Sequence, residues 1–104
     1  MYRGTTPTYT FTLPETVDLT LASDVYVTFS KNNDQEIFTK TGSDIEVTEH
    51  TVEVYLTQEE TLSFPDGNIQ VQLNWIYTEG TKRKRACSEK VSIKANRNLI
   101  NEVL

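Results

Sequence analysis

A single cysteine, a single histidine and the lack of any long apolar run narrow this chain before any pattern is read. Cys87 has no partner, so no internal disulfide staples the fold, and a reducing compartment suits it. A free cysteine usually packs as a small hydrophobe, which predicts a partly buried strand position. His50 stands in a polar turn without a second histidine or cysteine at metal-ligand spacing, so it reads as a solvated loop residue and no metal is expected. Nothing approaches the ~20 apolar residues of a spanning helix. Mean hydropathy is -0.47. No hydrophobic signal-peptide core follows Met1-Tyr2-Arg3-Gly4-Thr5-Thr6, so the expectation is synthesis in the cytoplasm without membrane insertion. A formal charge of -5 and a pI near 4.8 weigh against nucleic acid as the main partner, because such affinity comes largely from neutralised phosphates.

What is present is the chemistry of pleated sheet. At 104 residues the chain suits one domain. Tyr9, Phe11 and Leu13 alternate with threonines up to Pro14. Val25, Val27 and Phe29 repeat the pattern, and Lys31-Asn32-Asn33-Asp34 turns the chain into Glu36 to Lys40 as a hairpin. Thr41 to Asp44 forms a further turn before Ile45 to Thr48, and Val52, Val54 and Leu56 point inward from the next strand. Asn68 to Thr78 is the longest strand, with Ile69, Val71, Leu73, Trp75 and Tyr77 on one face and Gln70, Gln72 and Asn74 on the other. Val91, Ile93 and Ala95 line the inner face of the last. Between Leu56 and Gly67, Thr57 and Glu60 are spaced for a capping box on a single helical turn, and Leu62 and Phe64 are placed to close the bottom of a core. These segments predict an all-β, immunoglobulin-like antiparallel sandwich of about seven strands with one short helical turn. The domain spans residues 1–98 and an apolar tail spans 99–104.

Candidate sites are few. Catalysis needs residues held together with an orienting partner, and the sequence offers none, so no catalytic residue or cofactor is expected. The acidic residues Asp44, Glu46, Glu49 and Glu53 fit outward strand and loop positions, while Glu59 and Glu60 suit a helical N-terminus. The run Lys82-Arg83-Lys84-Arg85 is the sharpest charged feature. Placed at a hairpin between two strands, it reads as a solvated, edge-protecting run, or as a contact for an acidic neighbouring subunit that the same chain has enough acidic surface to supply. Trp75 falls in phase with the core. Tyr26 and Tyr55 fall out of phase and are the exposed aromatics, which mark either a second buried face or an interface. Leu99, Ile100, Val103 and Leu104 can form one face of a short helix, which either folds back on the sandwich or docks on another chain.

The opening Arg3-Gly4-Thr5-Thr6-Pro7-Thr8-Tyr9-Thr10-Phe11-Thr12-Leu13-Pro14, the central Leu56-Thr57-Gln58-Glu59-Glu60-Thr61-Leu62-Ser63-Phe64 and the closing stretch from Val91-Ser92-Ile93 to Glu102-Val103-Leu104 together resemble small proteins encoded in phages and prophages of gut Firmicutes. More distantly, the Gln-Glu-Glu-Thr turn, Gly67 and Gln70-Val71-Gln72-Leu73 are similar to the N-terminal β-sandwich of phage baseplate upper proteins. The basic run departs from that pattern. The resemblance implies a non-enzymatic virion component of a tailed phage (tail, baseplate or head-tail connection), whose partners are other phage structural proteins and copies of itself. The alternative is a standalone carbohydrate-binding or host-adhesion module, with a small enzyme or a regulator of a host protein a distant third.

Overall fold

The computed structural model describes residues 1–95 apart from Asn32, Asp34, Asp66 and Glu89. The strands are β1 (Thr8–Thr12), β2 (Ala22–Lys31), β3 (Glu36–Thr41), β4 (Ile45–Val47), β5 (Thr51–Tyr55), β6 (Gly67–Glu79), β7 (Lys82–Cys87) and β8 (Val91–Ala95), with one α-helical turn, α1 (Gln58–Leu62), between β5 and β6. They form an antiparallel sandwich of a three-stranded sheet, β1-β5-β4, and a five-stranded sheet, β3-β2-β6-β7, in which β8 also pairs with β6. The period-2 alternation explains the layering. Val27, Phe29, Val52, Val54, Leu56, Ile69, Val71 and Leu73 all turn inward and are buried, while their sequence neighbours face out.

Strand β6 is the spine. It lies along β2 on one side, and on the other it pairs first with β8 and then with β7. Ser88 fills the break between those two strands: Leu73 N donates to Ser88 Oγ at 3.0 Å, and Ser88 N donates to Leu73 O at 2.9 Å. The hairpin from β6 to β7 turns at Gly80, whose φ of 64° lies in the left-handed region that glycine enters without steric cost. A strand therefore follows the turn at once, and the basic run is not the hairpin that its charge suggests. It forms most of β7, which brings the described strands to eight.

One end of the core is sealed by α1 and its surroundings. The capping box is formed as the spacing predicts, with Thr57 N donating to Glu60 Oε1 at 2.9 Å and Glu60 N to Thr57 Oγ1 at 3.3 Å. Phe64 is buried in an aromatic cluster with Phe29 and Phe38, ring centroids 4.9 to 5.7 Å apart. Leu62 is only partly buried, and Thr61 takes the interior place instead. A buried hydroxyl needs partners. Thr61 donates from Oγ1 to Thr5 O at 2.8 Å and accepts from Gly4 N at 2.9 Å, fastening the first residues of the chain beneath the sandwich.

Candidate interaction surfaces

The two flanks of the sandwich are built differently. On the β3–β4 flank the sheets are joined by the short 3-10 turn Gly42–Asp44 and by Lys40. Lys40 pairs with Val27 and so faces inward, where it is only 7% exposed. Its ammonium is satisfied by Tyr55 O at 2.5 Å and Glu60 Oε1 at 2.8 Å, so that one buried cation ties β3 to β5 and α1. Burial acts to raise the Glu60 pKa, but the Lys40 ammonium and the Thr57 N–H outweigh it and hold the carboxyl below its ordinary value.

On the opposite flank the seam is open. A groove of about 680 Å³ runs between β1 and the β7–β8 edge, lined mainly by Phe11, Leu13, Val17, Leu73, Trp75 and Val91. Tyr9 and Phe11 point toward the core but stay half-buried, with ring centroids 6.3 Å apart, and burial pushes the Tyr9 phenol up. Val91 is turned to the inner face and is still 45% exposed. Cys87 also lines the groove. It lies at the end of β7 as an exposed residue, contrary to the partly buried position expected of it, because it shares the outward phase of Arg83 and Arg85 in that strand.

All four basic residues of β7 are exposed. Lys84 meets Glu79 at 3.0 Å, and the carboxylate raises its pKa. Arg83 lies 3.7 Å from Asp24. Lys82 and Arg85 have no ion pair among the described residues. The matching acidic surface lies on the far sheet, where Glu46 of β4 stands directly opposite Glu53 of β5, both exposed. Like charges in that relation repel, and a cation delivered to them would relieve it.

The aromatic candidates do not form one patch. Tyr55 is 51% exposed on the outer face of the three-stranded sheet. Tyr26 is half-buried on the outer face of the other sheet, since it pairs with Thr41 and Asn74 and these flank its ring. Around it lies a weakly charged surface of Thr28, Thr39, Gln70, Gln72 and Asn74. Gln72 Nε2 donates to Ser88 O at 2.9 Å, whereas the buried Gln70 Oε1 has no hydrogen-bond partner among the described residues. His50 is less solvated than its turn suggests: it is half-buried, its Nδ1 is 2.6 Å from Val17 O, and its carbonyl accepts from Leu13 N at 2.7 Å. It pins the segment after β1 to the β4–β5 turn. Leu99, Ile100, Val103 and Leu104 lie outside the described residues.

Among the described residues no group of three or more His, Cys, Asp or Glu side chains gathers as a metal site requires, and no helix is long and apolar enough to cross a membrane. The fold thus defines a small two-sheet β-sandwich whose distinctive surfaces are strand edges. Comparisons with protein-family models, with curated proteins and with solved structures find no match to the chain.

Proposed function

We propose that this chain is a non-enzymatic structural component of a tailed-phage virion, in the tail, baseplate or head-tail connection, acting through protein-protein contacts. The observation that carries the proposal is the placement of Lys82, Arg83, Lys84 and Arg85 in an exposed sheet-edge strand, with Glu46 and Glu53 on the opposite sheet. A basic edge on one subunit and an acidic face on the next orient their encounter and disfavour wrong partners, which is what an assembly module needs. The resemblance to phage-encoded proteins supports the same reading. The partners are other virion proteins and further copies of this chain, with Leu99, Ile100, Val103 and Leu104 contributing an apolar contact.

Mass spectrometry of purified particles tests it. The chain is expected in clean virions, and its absence would remove the reading. Charge reversal by Lys82→Glu together with Arg85→Glu is expected to lower particle yield while leaving the melt of the isolated protein unchanged. A chain ending at Asn98 is expected to show the same split. Particles from His50→Ala and Cys87→Ser phages are expected to remain infective wherever those variants fold.

A second reading, a carbohydrate-binding or host-adhesion module, draws on the amide-rich face of Gln70, Gln72 and Asn74 beside Tyr26, where Gln70 Oε1 has no hydrogen-bond partner among the described residues. Glycan-array binding that disappears in Gln72→Ala would favour it over the assembly role.

A further inference from the structure

The strand edges of this sandwich are guarded unequally. β7 carries four basic residues, β4 is three residues long, β3 bears Glu36 and Lys40 beside an irregular register with β2, and β8 has Lys94, whose carbonyl accepts from Met1 N at 2.8 Å. Short length, charge, bulges and cover are the devices that stop sheet edges from pairing with other chains. Among the described residues β1 has none of them. Its five residues, Thr8-Tyr9-Thr10-Phe11-Thr12, include no charge, no proline and no glycine.

The free side of β1 is also oriented for pairing. Leu13 N donates to His50 O and Leu56 N donates to Pro7 O, so the odd-numbered residues of this strand turn their backbone groups toward β5. Alternation then directs the N–H and C=O of Thr8, Thr10 and Thr12 away from β5, over the open flank. The sequence pattern of the strand is symmetric about Thr10: threonine, aromatic, threonine, aromatic, threonine.

We infer that two copies of this chain pair antiparallel through their β1 edges, around a two-fold axis at Thr10, joining the two three-stranded sheets into one continuous sheet. A two-fold interface requires a self-complementary surface, and β1 supplies one. Thr10 faces the second copy's Thr10, and Thr8 faces its Thr12. Each such pair exchanges two backbone hydrogen bonds, giving about six in all. On the outer face the threonines align in a ladder. On the inner face Tyr9 meets the second copy's Phe11, and these rings cover the groove lined by Leu73, Trp75 and Val91. The inference shares with the virion proposal only the premise of subunit contacts. A β1 dimer of a protein absent from particles would uphold this inference and remove that one, and a monomer present in particles would do the reverse.

Sedimentation velocity of the full chain under reducing conditions, from about 1 to 200 µM, a range that reveals a modest interface, is the primary test. A monomer-dimer equilibrium is expected. Thr10→Lys, which places two ammonium groups face to face across the axis, is expected to weaken it at least about tenfold with an unchanged circular dichroism melt. Thr10→Pro removes the outward N–H and spares the β1–β5 bonds, so it should act alike. In a Cys87→Ser background, a nitroxide at Thr10→Cys should show strong dipolar broadening, since facing Cα atoms in a hydrogen-bonded pair sit about 5.5 Å apart. A protein that stays monomeric across the range would overturn the inference. So would a dimer that Thr10→Lys leaves intact, or one whose labels show no broadening. A dimer abolished by ending the chain at Asn98 but not by Thr10→Lys would assign the contact to the tail instead.

Discussion

The two flanks of this sandwich solve the same problem in opposite ways. Along the β3–β4 flank, Lys40, Glu60 and the Tyr55 carbonyl bridge the sheets, and Phe29, Phe38 and Phe64 fill the space between them. Along the β1–β8 flank, Phe11 and Val91 face inward over a groove and keep part of their surface in water. The difference teaches that inward phase in a strand does not guarantee burial. A side chain is buried only where an element of the facing sheet, or of another molecule, completes the layer.

The contrast can be broken most forcefully in the core of the closed flank. Phe29→Ala removes a ring that contacts two others and is expected to cost about 3 to 5 kcal/mol in denaturant unfolding. Next comes the bridge itself. Lys40→Met leaves the Tyr55 carbonyl and the Glu60 carboxylate without their cation, and a loss of about 1 to 3 kcal/mol is expected, moderated because Glu60 is partly exposed. Adding Glu60→Gln completes a double-mutant cycle, and the pair should prove non-additive.

The pH dependence sharpens the same point. The Glu60 carboxyl is held below its unfolded value of 4.5, so the native state binds its proton less readily than the unfolded chain does. Its contribution is fully present above about 4.5 and is lost as pH falls through the lower native value. Thermal melts between about pH 6 and 3 should show this loss in the wild type and less of it in Lys40→Met. The smallest effect is expected on the open flank, where Val91→Ala should cost no more than about 1 kcal/mol in the monomer. A cost equal to that of Phe29→Ala would mean the groove is closed in solution.

Much of the architecture was legible from alternation: the inward sets of β2, β5 and β6 and the Thr57–Glu60 capping box stand where the residues predict. The rest was hidden for two physical reasons. Alternation marks a strand only when one face is buried, and Lys82 to Arg85 pair with the far end of β6, where they are exposed on both faces. No apolar rhythm could announce that strand. Lys40 is in phase with Phe38 on β3, but a lysine reads as an outward residue until the carbonyl and carboxylate that receive it are placed by β5 and α1. Thr61 was masked likewise by Leu62 beside it, since its interior role depends on Thr5 and Gly4, more than fifty residues away in sequence. Of the candidate surfaces, the exposure of Tyr55 was readable from phase. The free edge of β1 was not, because which strand ends a sheet is decided by topology and not by the strand's own residues.

The two-sided grip on β6 has a consequence for exchange with solvent. Its backbone amides turn alternately toward β2 and toward β8, Ser88 and β7, so fraying of any one outer strand exposes only half of them over a limited stretch. Deuterium should therefore enter last of all at Gln70, Gln72 and Asn74, whose amides turn toward the inner strand β2, at the rate set by opening of the whole domain, while in the monomer the same label equilibrates early at Thr8, Thr10 and Thr12.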